Sequence, residues 1–306
     1  MNTIHSLTIA LLAFSPILGL FAGCSSAEPK DDDGAVLLTE ERRELLDRKL
    51  KGWSDARNRG EVVLEEMLRR DLRREACRMI DALKNGLASS EGSVRTIAAA
   101  AIGFTEDVGS VGLLLPLLND PVRSVRSNAM LALCLIRSRR TPVSVVAAKL
   151  EDPDPVVRRL AVLCLCGLHD PADGRDLFPS IQRALLDADE GVRINATASM
   201  EKLGDARAVD CLAGAGLVDT NAKVRLNAAV GLGKFKAAGT ERALAAALKR
   251  EMNPAVRREL ASALRSITGK DLGEDAEAWG RALDAAAAAP AGAPAAGKET
   301  PPKDQK

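Results

Sequence analysis

The sequence predicts an all-α fold, an α-solenoid (superhelix) of about six helix-turn-helix repeats with a capping helical region at each end. The main observation is a series of six Val-Arg dipeptides that recur at intervals of 31, 32, 35, 32 and 32 residues. Each Val-Arg opens a stretch of small and aliphatic residues with a period of about 3.6, and turn segments such as NDPVRS separate these stretches. Units of this length bury their apolar faces only against their neighbours, which is typical of solenoids.

The second helix of each repeat has the same residue types at fixed distances from the repeated Arg. Position six after the Arg is always small, and position seven is always a large apolar residue. Position three is Ala in five repeats and Leu260 in the last. Together with the Val before the Arg and the residue at position ten, these positions share one helix face. We predict that this face is the core, where small residues let neighbouring helices approach to about 8–10 Å.

A shorter apolar segment precedes each of these helices, for example at 112–118, 143–150 and 241–249. Pro and Asp residues stand between the two segments. Pro ends one helix or begins the next, and Asp accepts the free N–H groups of the new first turn. Each repeat is therefore predicted to be helix, turn, helix.

The combined pattern D-P-x-x-x-V-R-x-x-A-x-x-A-L-G resembles the HEAT repeat, in the short bacterial form named after phycobilin lyases. The resemblance covers about residues 75–268 and implies a ladder between an Arg and an Asp that lies six residues before the repeated Arg. The ladder positions are Arg95, Arg126, Arg158, Arg193, Arg225 and Arg257, with Asp120, Asp152, Asp187 and Asp219. Glu251 replaces the Asp in the last repeat and Ser89 replaces it in the first. We interpret the six Arg residues as structural, because a group that recurs once per repeat serves stacking.

The N-terminal residues indicate export and lipid attachment. Residues 7–23 are apolar and end in Phe-Ala-Gly before Cys24, which resembles the lipobox of a bacterial lipoprotein. The resemblance implies a signal peptide at 1–23 and a mature chain acylated (palmitate or a similar chain) on Cys24. Ser25 resembles the sorting signal for the outer membrane, so we expect the periplasmic side of that membrane in a host with two membranes. The alternative is an uncleaved transmembrane helix, which its 17 residues and Pro16 argue against.

Four further segments lie outside the repeats. Residues 24–37 are polar and predict a flexible tether, and the charged residues 38–74 predict an N-terminal helical cap. Residues 269–285 predict a C-terminal capping helix, with Trp279 packed over the last repeat. Residues 286–306 are rich in Ala, Pro, Gly and Lys and predict a disordered tail. Terminal caps with a polar outer face are what a solenoid needs to stop further stacking.

Composition argues against several classes of function. Lys and Arg total 43 and Asp and Glu total 42, so no net field would attract nucleic acid. The chain has no Tyr and few other aromatic residues, which argues against base-stacking surfaces. His169 is the only His after the signal peptide, so a Ser–His or Cys–His site would depend on it.

The segment 164–170 brings Cys164, Cys166, His169 and Asp170 together in sequence and suggests a metal or redox site as one hypothesis. Against it, Cys164 takes the small core position and Cys166 falls on another face of the same helix. We therefore expect no metal, no cofactor and no catalytic residue. The Cys residues beyond Cys24, which are Cys77, Cys134, Cys164, Cys166 and Cys211, are expected to be free thiols.

The remaining functional indication is an apolar stripe on the helix face opposite the core. It consists of Leu131, Cys134, Leu163, Cys166, Ile194, Leu226 and Val230. If the second helices line the concave side, this stripe is a groove for a helix or an extended segment of a partner protein. The alternative is a helix buried on both sides.

We predict a monomeric, non-catalytic scaffold tethered to a membrane. One alternative is a substrate-holding lyase or chaperone of the phycobilin-lyase type, and another is a regulatory subunit of an envelope complex.

Overall fold

The computed structural model describes residues 37–170, 175–237 and 239–288, which form helices and turns without a β-strand. The chain divides into two compact units, Met1–Ala208 and Val209–Lys306. The sequence alone did not predict this division.

Ten helices lie within the described part of the first unit. They are α1 (Glu40–Asn58), α2 (Val62–Arg78), α3 (Ile80–Leu87), α4 (Gly92–Ile102), α5 (Val111–Leu117), α6 (Arg123–Ile136), α7 (Val143–Ala148), α8 (Pro155–Gly167), α9 (Phe178–Ala184) and α10 (Glu190–Leu203). The second helices of successive repeats pack side by side, α4 against α6, α6 against α8 and α8 against α10. This arrangement confirms the predicted repeat of helix pairs.

The second unit continues the same pattern. After α11 (Ala208–Ala213), which begins at the boundary, come α12 (Ala222–Phe235), α13 (Glu241–Arg250), α14 (Pro254–Thr268) and α15 (Ala276–Ala288). Helix α14 packs on both α12 and α13, and α15 packs on α13.

The turn residues begin the second helices as the sequence predicts. The side chains of Asp154, Asp189, Asn221 and Asn253 each accept a hydrogen bond from a backbone N–H in the first turn of α8, α10, α12 and α14, respectively. All four lie four residues before the repeated Arg. An oxygen at this position satisfies donors that the helix itself cannot pair.

The predicted core face is buried. The Ala residues three positions after the Arg are fully buried, and the large residues at position seven are all 0% exposed. The residues ten positions after the Arg are buried in the first three repeats, whereas Leu203, Phe235 and Ile267 are partly exposed. Small and large side chains therefore alternate along the packed faces, which lets neighbouring helices fit closely.

The N-terminal cap is a helical hairpin. Thr39 caps α1, and Gly60 adopts a positive φ of 70° in the turn before α2. The apolar spacing of α2 runs on into the first repeat, as expected of one continuous helix. Helix α2 nevertheless ends at Arg78 and α3 begins at Ile80, because Met79 between them leaves the helical region with φ −111° and ψ 21°. Helix α3 then packs on α4 as the first helix of repeat one.

At the other end, Gly269 ends α14 with a φ of 73°. Trp279 of α15 is 1% exposed, and its Nε1 donates to the carbonyl oxygen of Gly273 at 2.8 Å. Helix α15 extends to Ala288, three residues beyond the predicted end of the capping helix at residue 285.

None of the helices within the described ranges is long and apolar enough to cross a membrane. The predicted signal peptide, Cys24 and the tether up to residue 36 lie outside the described residues, as does the tail from residue 289.

Candidate partner-binding surface

The repeated Arg residues connect neighbouring repeats. Within the first unit, Arg95 binds the carboxylate of Asp120 through two nitrogens at 2.7 and 3.0 Å, and Arg158 binds Asp187 in the same way at 2.8 Å twice. Arg126 makes the equivalent pair with Asp152 at 3.0 and 3.2 Å. Each Arg therefore reaches the turn of the next repeat with the fork geometry that fits a carboxylate.

The third nitrogen of each Arg is bound within its own repeat. Nη1 of Arg158 donates to the carbonyl oxygens of Asp152 and Pro153, and Nη1 of Arg193 donates to those of Asp187 and Ala188. One guanidinium thus holds its own turn and the next turn together. These contacts leave the Arg side chains largely occupied by the scaffold.

The two ends explain where the sequence departs from the pattern. The Asp of a repeat accepts from the Arg of the preceding repeat, so the first repeat needs no Asp, and Ser89 serves there through its backbone oxygen. In the second unit, Glu251 accepts from Arg225 at 2.6 and 2.9 Å. Arg257 has no following repeat, and it binds Glu274 instead.

Hydrogen bonds hold two of the ladder carboxylates, those of Asp120 and Asp187, in their charged form. Burial alone would raise the pKa of Asp187, but hydrogen bonds from Arg158 and from the N–H of Asp189 outweigh it and lower the pKa. The same balance lowers the pKa of Asp120. The carboxylates therefore remain charged partners of the Arg residues at neutral pH.

The structure shows a second set of contacts between repeats that sequence analysis missed. Nδ2 of Asn128 donates to the carbonyl oxygen of Thr96 at 3.0 Å, and Nδ2 of Asn195 donates to that of Arg159 at 3.3 Å. Both Asn residues lie two positions after the repeated Arg, and the carbonyl groups lie one position after the Arg of the preceding repeat. The sequence contained an indication of these contacts, because Asn227 occupies the same position in another repeat.

The predicted apolar stripe is only partly accessible. Leu131, Cys134 and Leu163 are buried, with 6%, 7% and 9% exposure, which matches the alternative of a helix covered on both sides. Cys166 and Ile194 in the first unit are half-buried. In the second unit, Leu226 and Val230 are also half-buried. Of the seven stripe residues, only these four have partly exposed side chains, and their docking role stays a prediction.

No disulfide joins the Cys residues within the described residues. Burial raises the pKa of the Cys134 thiol to about 11 and that of Cys164 well above its usual value. Burial also raises the pKa of Cys166, against a hydrogen bond with Ser199. The reactive thiolate form is therefore disfavoured at all three positions.

The structure separates the residues of the hypothetical metal site. Cys164 is fully buried in the core, whereas Cys166 and His169 are partly exposed. Asp170 forms an ion pair with Arg139. Within residues 37–170, 175–237 and 239–288, no group of three or more His, Cys, Asp or Glu side chains is arranged to hold a metal ion.

The second unit contains an open cavity of about 400 Å³ that the sequence did not predict. Its lining includes Trp279 and Leu283 of α15 together with Arg242 and Lys270. Arg242 pairs with Asp284 at 3.2 Å. The lining comes from the start of α13, the end of α14 and the C-terminal cap, and it includes neither of the predicted stripe residues Leu226 and Val230.

The repeats of this chain are similar to those of known proteins. Residues 143–219 match the family of HEAT repeats, whereas no curated protein has a significant match to the sequence. Similar solved structures include the archaeal HEAT-like repeats protein from Thermococcus onnurineus NA1. It is 14% identical, with a TM-score of 0.48 over 74% of this chain and 97% of that one.

Two further structures are similar. The complex of CpcE and CpcF of phycocyanin lyase from Nostoc sp. PCC7120 is 18% identical, with a TM-score of 0.40 over 85% of this chain and 99% of that chain. A designed armadillo repeat protein is 21% identical, with a TM-score of 0.44 over 60% of this chain and 98% of that chain. The family match confirms the resemblance found in the sequence: the chain contains HEAT repeats, matched over residues 143–219, within an all-α repeat fold.

Proposed function

We propose that this protein is a non-catalytic scaffold that binds a partner protein through the inner face of its repeats while a lipid on Cys24 holds it at a bacterial membrane. Stacked helical repeats provide extended surfaces that suit protein binding. The observation that carries the proposal is how the repeated polar residues are used. Arg95, Arg126 and Arg158 each bind the carboxylate of the next repeat and carbonyl oxygens of their own turn, so this recurring chemistry serves stacking.

The accessible residues define the partner's chemistry. In the first unit, Cys166 and Ile194 offer apolar surface, beside an ion pair in which Arg159 binds Asp189 at 2.7 Å twice. A helix or extended segment with one apolar side fits such a surface. The buried Leu131 and Leu163 would set the shape of the surface rather than contact the partner.

The proposed location rests on the N-terminal sequence. Residues 7–23 are apolar, and Ala22 and Gly23 precede Cys24. A lipid on Cys24 would keep the scaffold at the periplasmic side of the outer membrane in a host with two membranes. Its partner would then be another envelope protein.

Cross-linking mass spectrometry of the full-length protein in its native membrane tests the docking surface. Ile194→Glu places a charge on the inner face, and Leu186→Glu is the matched control, because Leu186 is 76% exposed at a turn. We expect one envelope protein to cross-link near residue 194 and to be lost only in Ile194→Glu. Equal cross-linking in both variants would show that the inner face is not the docking surface.

A separate experiment tests the anchor. The Cys24→Ser variant should move from the membrane fraction to the soluble fraction and should no longer incorporate labelled palmitate. Membrane association that persists in this variant would instead support the uncleaved transmembrane helix.

A further inference from the structure

Helix α2 exposes apolar and basic side chains on the outside of the N-terminal cap. Its exposed residues are Val62, Val63, Met67, Arg70, Arg73, Arg74 and Arg78. Val63 is 87% exposed and Met67 is 59% exposed. A cap that only closed the solenoid would need a polar outer face. The apolar residues therefore indicate that this side of the cap contacts something.

Five of these side chains share one face of the helix, which we call the α2 face. Val63, Met67, Arg70, Arg74 and Arg78 follow one another at spacings of three or four residues, which places them in one row along a helix. The two apolar residues lie at the N-terminal end of the row, and the three Arg residues follow them. The side chains of these Arg residues are 73%, 63% and 62% exposed.

The acidic residues of α2 lie beside this face. All four are partly buried, and each has a carboxylate oxygen within 3.6 Å of a cationic nitrogen. The pairs are Glu65 with Arg57, Glu66 with Arg70, Asp71 with Lys49, and Glu75 with Arg78. The surface of the α2 face is therefore apolar at one end and basic at the other.

Helix α1 has the opposite character on its exposed side. Its exposed acidic residues are Glu40, Glu41, Glu44, Asp47 and Asp55, and its exposed basic residues are Arg48 and Lys51. The two helices of the cap thus differ in the sign of their outer surfaces. An anionic surface would attract the α2 face and repel the exposed side of α1.

We propose that the α2 face rests on an anionic lipid surface and holds the first unit at the membrane in one orientation. Val63 and Met67 enter the headgroup region, as the apolar side of an interfacial helix does. Arg70, Arg74 and Arg78 bind the phosphate groups of anionic lipids, because a guanidinium fits phosphate oxygens with two donors. The proposal rests on the membrane location given under the proposed function.

The length of chain before α1 allows this contact. Helix α1 begins at Glu40, sixteen residues after Cys24, and sixteen residues span at most about 55 Å. The 19 residues of α1 are about 28 Å long, and the turn at Gly60 leads from its far end into α2. Both ends of the α2 face are therefore within reach of a membrane that holds residue 24.

Methionine oxidation of the full-length protein in vesicles tests the contact. The protein is reconstituted into vesicles of phosphatidylcholine and phosphatidylglycerol and treated with hydrogen peroxide, and peptide mass spectrometry measures the oxidation rate of each Met. Met252, which is 88% exposed in the second unit, is the reference within the same molecule. Without a membrane contact, the exposures of Met67 and Met252 predict rates within about twofold of each other. In these vesicles we expect Met67 to react at least about fivefold more slowly than Met252.

A charge reversal links this protection to the basic residues. Arg70→Glu should bring the rate of Met67 to within about twofold of that of Met252, because it replaces an attraction to anionic lipid with a repulsion. The matched control is Arg183→Glu. The Arg183 side chain is 65% exposed and lies 3.7 Å from one carboxylate, that of Glu151, so this variant should leave Met67 protected.

Equal oxidation of Met67 and Met252 in the wild type would overturn the proposal. Protection that persists in Arg70→Glu, or that is as strong in vesicles of phosphatidylcholine alone, would also overturn it, because neither result involves an anionic surface. Protection in native membranes but not in vesicles would assign the α2 face to a protein partner instead. The scaffold fails on a different observation, the cross-links of Ile194→Glu, so the two failures can be told apart.

Discussion

Replacing Asp187 with Ala measures how much one step of the Arg ladder contributes to stability. The carboxylate of Asp187 accepts from Nε and Nη2 of Arg158, both at 2.8 Å, and from the N–H of Asp189 at 2.8 Å. The side chains of Arg158 and Asp187 are 16% and 12% exposed. The substitution therefore leaves three donors without their acceptor at a site that water reaches poorly.

The expected loss follows from these contacts. Breaking a fully buried ion pair by removing one partner costs about 3–5 kcal/mol, and a hydrogen bond to a charged group contributes about 1.5–3 kcal/mol. Because Arg158 keeps its bonds to Asp152 and Pro153 and some access to water, we expect the free energy of unfolding to fall by about 2–3 kcal/mol. For a chain of this size that corresponds to a Tm lower by about 4–6 °C.

Urea denaturation followed by circular dichroism measures this change, and hydrogen exchange locates it. Exchange should rise at the turn before α10, where Asp189 loses its acceptor. The control is Glu66→Ala, which removes an exposed pair with Arg70 and should cost less than about 0.5 kcal/mol. If Asp187→Ala costs no more than this control, the ladder does not stabilise the stacking of the repeats.

Three further predictions concern pH, close packing and the C-terminal cap. Because the pKa of Asp187 is lowered in the folded state, its carboxylate stabilises the fold above the unfolded pKa of about 3.9, and this stabilisation is lost as the pH falls below that value. Urea titrations at several pH values should therefore show the free energies of unfolding of the wild type and Asp187→Ala converging in acid. Gly103→Ala should lower the free energy of unfolding by about 1–3 kcal/mol, because the new Cβ would lie 2.7 Å from the Cα of Ala132. In the same urea assay the control Gly112→Ala, whose Cβ would meet nothing within 4 Å, should leave the free energy of unfolding unchanged. Trp279→Phe keeps an aromatic ring but removes the hydrogen bond to a backbone carbonyl, so thermal melting should show a loss of about 1 kcal/mol, and an unchanged Tm would contradict that bond.

The periodic features of the fold could be predicted from the sequence. The Val before each Arg and the residues three and seven positions after it are set by helix geometry, and the structure buries nearly all of them. The recurring Arg and Asp residues could likewise be predicted to form a ladder, because the two residue types recur at a fixed spacing along the chain. What the sequence did not reveal was the break at Met79, since the apolar spacing continues through it from α2 into α3.

The tertiary structure alone decided how much of the candidate surface is accessible. Leu131 and Ile194 occupy equivalent faces of their helices, yet the first is buried and the second is half-buried. The packing of Trp53 on Phe104 joins residues about fifty positions apart in the chain, and no periodic pattern marks it. Periodicity determines which face of a helix turns toward the core, because that depends on the helix alone. The exposure of the opposite face depends on which distant segment packs against it. In this protein only the tertiary structure decides that packing, because the segments involved are far apart in the sequence.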